Sequence, residues 1–130
     1  MKFGFDDTGE DDLYADVYRD FNLKVRRLES DFGKSSGQRT LARNRAVGGE
    51  ELSQHLIDLA RDFPTVNPFR AQEIIRRSRA MGLTAVDETK LPPCPQPPGV
   101  RCGPHVHVQE YPKGQAPRAL YERYGILSRD

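Results

Sequence analysis

A chain of 130 residues with a mean hydropathy of -0.73 and 36% hydrophobic residues suits one domain with a modest core and much loop. Lys and Arg number 20 against 19 Asp and Glu, a net charge of +1, which argues against a nucleic-acid binder held by phosphate contacts and leaves only local basic clusters such as Arg39, Arg43 and Arg45. No apolar run approaches the ~20 residues of a membrane span, and the acidic start MKFGFDDTGEDD has no apolar h-region, so the expectation is synthesis in the cytoplasm without a signal peptide and no membrane partner.

Residues 1–12 are acidic and expected to be loose. Over 13–31, Leu13, Val17, Phe21 and Val25 recur at helical spacing, Leu28 continues the face, and Gly33 ends it. A short basic helix is predicted over 40–45, stopped by Val47-Gly48-Gly49. The stretch 52–63 is ambiguous. Leu52, Leu56, Leu59 and Phe63 make a helical stripe, while Asp58, Ala60 and Asp62 alternate with Leu59, Arg61 and Phe63 as a strand would. Residues 67–81 form the clearest helix, with Asn67 to cap it, Pro68 at its first position and Gly82 at its exit. A strand over 83–87 follows. Residues 91–104 hold six prolines and are predicted to be a long irregular loop. His105–Gln109 alternates as a strand, and 119–127 reads as a short closing helix. The order favours an α+β fold, a small antiparallel sheet with flanking helices. Cys94 and Cys102 are not in a zinc-knuckle spacing and read as two reduced loop cysteines. A loop disulfide, which needs an oxidising compartment, is the alternative.

Three histidines carry the chemistry: His55, His105 and His107. His-Val-His puts two imidazoles on one face of a strand, because side chains repeat every second residue. Neutral imidazole is a common zinc ligand and carboxylate a frequent third, with one position left open for water at a catalytic site. Neither the paired histidines nor His55 is specific alone, since surface or capping histidines look the same.

Residues 36–62 read SGQRTLARNRAVGGEELSQHLIDLARD. This segment resembles SGYRs…N…VGG…SxHxxGxAxD of the VanY-like D,D-carboxypeptidases and their murein endopeptidase relatives, zinc peptidases of the fold shared with the hedgehog signalling domain. GPHVHVQ at 103–109 matches the second signature, a strand with the last histidine ligand. The resemblance covers roughly residues 30–110. It implies Zn2+ held by His55, Asp62 and His107, with His105 as a catalytic histidine beside the metal. It implies that Arg39 faces a substrate carboxylate, a task suited to a bidentate guanidinium, and that Ser53 lies near bound peptide. The bland alternatives are a solvated Arg39, a purely capping Ser53, solvated Glu50 and Glu51, and Glu73 as a surface partner of Arg76 or Arg77. The implied organisation is 1–32 as an acidic segment and helix, 33–113 as the zinc peptidase-like domain and 114–130 as a tail or helix.

Three positions depart from the pattern. Asp58 stands for the glycine of SxHxxG, and aspartate tolerates turns better than most residues. Gln38 stands for the usual tyrosine. Pro104 stands where many members hold a glutamate general base, so His105, Asp87 or Glu110 must take that role if the domain is catalytic. In one continuous helix over 52–63, His55 and Asp62 would lie about 10 Å apart along the axis, whereas two donors on one zinc sit only about 3 Å apart. A zinc site therefore predicts a break after His55 and a strand over about 58–63. The expected function is hydrolysis of a peptide bond in bacterial peptidoglycan, with stem peptides as partners. Bacteriophage endolysins and virion-associated wall hydrolases use this type of domain. The alternative is a non-catalytic, peptidase-like structural domain of a phage particle that binds zinc or wall peptide.

Overall fold

The computed structural model describes residues 10–128 of the chain. Helix α1 spans Glu10–Phe32, so positions 10–12, expected to be loose, are helical, and the rest of that acidic stretch lies outside the described residues. Gly33, at φ +87°, takes the left-handed conformation that ends the helix. Helix α2 spans Leu41–Ala46, with the Thr40 hydroxyl accepting from the Arg43 N–H as its cap. The ambiguous stretch resolves into both of its readings in turn: a 3-10 turn over Gln54–Ile57, then strand β1 over Ala60–Pro64. Helix α3 spans Pro68–Ala80, capped by Asn67 with proline in its first turn. Strands β2, Thr84–Glu88, and β3, His105–Gln109, precede the short helix α4, Arg118–Arg123.

The fold is α+β, with a three-stranded antiparallel sheet in the order β1-β3-β2. Its register decides everything about the site. Asp62 pairs with His107 and Pro64 with His105 on one side of β3, while Val86 pairs with His107 and Glu88 with His105 on the other. Paired residues point to the same face. One face therefore carries Asp62, His105, His107, Glu88 and Gln109. The opposite face carries Phe63, Val106, Val108 and Ala85, all buried. These join Phe21, Val25 and Leu28 of α1, Ala71 and Ile74 of α3, and Leu120 and Tyr121 of α4 in one core. Burying each of the larger side chains contributes roughly 1.5–3 kcal/mol before entropy is counted.

Two tyrosines reach around the sheet to brace the segment that carries His55. The Tyr18 hydroxyl donates to the Ile57 carbonyl and the Tyr121 hydroxyl to the Leu52 carbonyl, both at 2.6 Å. Helices α1 and α4 thus fix the polar face as well as filling the core.

The cysteines are joined. Cys94 and Cys102 form a disulfide across the proline-rich loop, which corrects the reading of two reduced thiols. Eight residues apart, they close a loop between β2 and β3 that lines a cleft together with Asp62 and His105 of the polar face. Among the described residues no helix is long and apolar enough to cross a membrane.

Candidate metal centre and active site

The site begins with the reversal after His55. Ser53 starts the 3-10 turn by accepting, through its hydroxyl, from the His55 N–H at 3.1 Å. Asp58 ends the turn at φ +60°, in the left-handed region usually left to glycine. The turn therefore survives the glycine-to-aspartate departure. The Asp58 carboxylate pairs at 2.9 Å with Arg61, whose guanidinium lies over the Phe21 ring, so its charge is spent away from the histidines. The chain then doubles back, and His55 and Asp62 meet side by side with Nε2 to Oδ1 at 3.1 Å. The predicted break is present, three residues past His55 and two before the strand.

β3 supplies the third donor. His107 Nδ1 lies 3.1 Å from the same Asp62 Oδ1. The ligand atoms of His55, Asp62 and His107 all fall within 4.8 Å of one another. The two separations from Asp62 Oδ1 match the roughly 3 Å expected between donors on one tetrahedral zinc.

The hydrogen bonds on the outer nitrogens fix what the inner ones present. His55 Nδ1 lies 2.9 Å from the Gly37 carbonyl, which can only accept, so the proton sits on Nδ1 and Nε2 offers a lone pair. His107 Nε2 lies 2.6 Å from Gln109 Oε1. That amide is itself oriented, because its Nε2 donates to the Tyr111 carbonyl at 2.7 Å. His107 therefore holds its proton on Nε2 and turns the Nδ1 lone pair inward. In their neutral forms two imidazole lone pairs and a carboxylate oxygen face one another at hydrogen-bond distance with no proton between them. Only added protons or a cation satisfies that arrangement, and two histidines with one carboxylate are a zinc-type donor set. Burial pushes the His55 imidazole below its ordinary value despite Asp62, which disfavours the protonated solution. Burial alone would raise the Asp62 carboxyl. Where His107 and His55 carry added protons on their inner nitrogens, their hydrogen bonds to its oxygen and the charges of His55 and His105 outweigh this and hold it well below the usual carboxylate range.

His105 stands beside the donors, with Nε2 3.5 Å from Asp62 Oδ1, 2.8 Å from Glu88 Oε1, and its Nδ1 anchored 2.7 Å from the Gly103 carbonyl. Burial works against the imidazolium, but Glu88, Asp62 and the Gly103 carbonyl together raise His105 above its ordinary 6.5. Contact with His105, helped by Arg101, lowers the Glu88 carboxyl to about 2 against the opposing effect of burial.

Glu88 is the acid that sequence reasoning missed. Asp87 and Glu110, the two offered in place of the absent glutamate, stay out of the site. Asp87 pairs with Val106 on the opposite face of the sheet, and its carboxylate accepts from Thr89. Glu110 follows the end of β3, half buried near Lys24 and Asp20 of α1. Glu88 has the correct parity, and Arg101 holds its Oε1 at 2.6 Å. Gln109 and Asn44 were also missed. Asn44 is buried, accepts from Arg39 NH1 at 2.8 Å through Oδ1, and donates to the Glu50 carbonyl.

Arg39 is not a solvated loop residue. Its side chain is 19% exposed, braced by Asn44 and 3.6 Å from Asp62 Oδ2, and its backbone N–H donates to the His55 carbonyl. Gly49 makes this possible, since a Cβ there would fall 2.1 Å from Asn44 Oδ1 and 2.7 Å from Arg39 NH1. Ser53 is buried as a cap and also lines the cleft beside His55. Glu50 pairs with Lys113 at 2.8 Å and Glu73 pairs with Arg76, both outside the donor set.

Two clefts of about 370 and 340 Å3 flank the donors. Asp62 and His105 open into the first, His55, His107 and Glu88 into the second, and Arg39 and Arg101 line both.

A family model described as Peptidase M15 matches residues 18–90, more than half of the chain. No curated protein and no solved structure matched. The matched stretch carries His55 and Asp62 and stops short of β3, so His107 joins them through the sheet register. Segment and register agree on one place in the fold, and the chain belongs to the peptidase M15 family of zinc metallopeptidases.

Proposed function

We propose that this protein is a zinc peptidase that hydrolyses a peptide bond of bacterial peptidoglycan, with wall stem peptides as its substrates. One observation carries the reading: the lone pairs of His55 and His107 and the Asp62 carboxylate converge on one point, beside a braced arginine, between two open clefts. Zinc bound there supplies a Lewis acid and a bound water whose pKa falls towards ~7. The protein's own groups do the rest. Gly37 and Gln109 hold the two ligand imidazoles in the tautomer that offers nitrogen lone pairs inward. Arg39, held by Asn44, presents its guanidinium to a substrate carboxylate and so sets which bond lies over the donors. With Nδ1 held by the Gly103 carbonyl, His105 carries a proton on Nε2 as the imidazolium, 2.8 Å from Glu88 Oε1, and in that form is placed to give it to a developing charge or leaving amine. With Pro104 unable to titrate, the Glu88–His105 couple takes the proton-handling role. The Cys94–Cys102 disulfide supports action on the oxidising, cell-wall side of the membrane. On the resemblance of its motifs we assign the protein to the endolysin or virion-associated type of phage wall hydrolase.

Pro104 itself favours a second reading, a peptidase-like structural domain of a phage particle that keeps the metal without cutting. A zymogram on purified peptidoglycan separates the two. The zinc-loaded protein is expected to clear the substrate, with clearing abolished by His55→Ala and by chelation. A zinc-loaded, folded protein that releases no fragments refutes the hydrolase reading.

A further inference from the structure

The first cleft is walled on one side by the disulfide loop and on the other by the segment from Ser36 to Arg43, and its floor is Asp62 and His105. Three guanidiniums, from Arg39, Arg43 and Arg101, line it, and among the described residues Asp62 is the one carboxylate in its lining. That carboxylate is committed to the donor cluster. Arg39 is committed to Asn44 and Asp62, and Arg101 reaches Glu88 with one terminal nitrogen. Arg43 is exposed, and among the described residues its guanidinium makes no ion pair. Asp62 in the lining and Glu88 on Arg101 stand against these three guanidiniums, which leaves one positive charge, on Arg43, and room for an anion beside it.

Resting on the peptidase reading above, we propose that this cleft seats a second carboxylate of the substrate, taken by Arg43 and Arg101 while Arg39 takes the first. The preferred substrate is then a peptide with two closely spaced carboxylates, such as one with an acidic residue next to its terminal carboxylate, and not a neutral peptide. The disulfide holds the loop that carries Arg101 against this cleft, since Cys94 and Cys102 are both in its wall.

The test compares acetyl-Ala-D-Glu with acetyl-Ala-D-Gln, which differ by one carboxylate, in calorimetric binding to the full, zinc-loaded chain. The diacid is expected to bind at least about tenfold tighter, the scale of one charge-assisted contact. Arg43→Gln, at an exposed position that leaves the core untouched, is expected to cut that preference to about threefold or less, and Arg43→Gln with Arg101→Gln to remove it. Equal binding of the two probes, no binding of either, or a preference that survives both substitutions overturns the proposal. A parallel hydrolysis assay keeps the two readings distinct. A diacid preference without cleavage of any wall peptide leaves the second seat standing and removes the peptidase. Cleavage with no such preference removes the second seat alone.

Discussion

Replacing Gln109 by leucine isolates one link in the metal site. The Gln109 amide accepts from His107 Nε2 at 2.6 Å and donates to the Tyr111 carbonyl at 2.7 Å. Leucine is close in volume, and the Tyr111 carbonyl keeps a second donor in Gln54 Nε2 at 2.7 Å, so the fold loses little. His107 then has two choices. It can keep its proton on Nε2 without a partner, at a cost of about 1–3 kcal/mol for a desolvated donor. Or it can move the proton to Nδ1, where Asp62 Oδ1 waits at 3.1 Å, and so withdraw the lone pair from the donor set. Both routes weaken zinc binding, by roughly 10–100-fold, which is the usual cost of losing a group that orients a metal-binding histidine. The second route is open only to the metal-free protein, where the Nδ1–H to Asp62 bond replaces the lost one. The stability of the apo protein is therefore expected to change by less than about 1 kcal/mol. Gln109→Glu keeps an acceptor for the Nε2 proton and is expected to bind zinc within about threefold of the wild type. Competition against a chelating dye reads the affinities, and urea unfolding of the apo protein reads the stability. If Gln109→Leu binds zinc as tightly as the wild type, the tautomer argument is wrong and with it the assignment of Nδ1 as the donor atom of His107.

The metal-free protein should also show the Glu88–His105 couple in its pH dependence. The Glu88 carboxyl is lowered from 4.5 to about 2, so its contribution is present above about 4.5 and is lost as pH falls towards 2. His105 is raised from 6.5, so its share is present below 6.5 and is lost as pH rises through its folded value. Glu88→Gln is therefore expected to cost most between these limits, about 1–2 kcal/mol after allowance for solvent screening, and less at pH 8 or pH 2.5. A cost independent of pH in urea titrations would show that the pair is not ionic. Gly49→Ala drives a methyl into Asn44 and Arg39 and is expected to cost about 1–3 kcal/mol in thermal unfolding and to raise KM for carboxylate-bearing peptides. Unchanged stability and KM would mean that Arg39 does not depend on that packing. Cys94→Ser with Cys102→Ser opens a loop of separation 8, worth about 2.5 kcal/mol by chain entropy, and reducing agent should lower the wild-type unfolding free energy by the same amount while leaving the double variant unmoved.

The parts of this protein that were legible in its sequence are those written in local periodicity. Asn67-Pro68 and Gly82 bracket α3, and His105–Gln109 is the strand its alternation suggested. The reversal between His55 and Asp62 was legible for a different reason: the chemistry of a shared metal forbids a helix through both. What was not legible depends on pairing across the sheet. Glu88 sits 17 residues before His105, beyond a disulfide loop, and only the antiparallel register makes them neighbours. Gln109 looked like the polar end of a strand, and its role needs the Tyr111 carbonyl that turns its amide. The state of Cys94 and Cys102 depends on how a proline-rich loop closes, which no periodicity records.

The same register explains how the site can lose an acid at position 104 and still keep one. Position 104 precedes β3 and would send a side chain in from the end of the strand, where proline now bonds through its carbonyl to the Thr65 N–H. The polar face of the sheet offers few other places from which a carboxylate can reach the donors. On β1, Asp62 is already a donor and the next position of that parity, residue 64, is proline. On β2, Val86 faces His107 and Glu88 faces His105. Parity excludes Asp87, whatever its charge, because moving one residue along a strand moves the side chain to the core side. An acid that acts beside His105 must therefore come from position 88. The cation that keeps it there, Arg101, comes from the disulfide loop, so the strand that supplies the acid and the loop that holds it are consecutive in the chain. Exchanging the two acids tests this. In a Glu88→Gln background, Pro104→Glu should restore activity on wall peptide if the two positions serve one role by different routes. If Glu88→Gln alone leaves kcat and its pH profile unchanged in the zinc-loaded protein, position 88 is structural and the missing glutamate has no substitute.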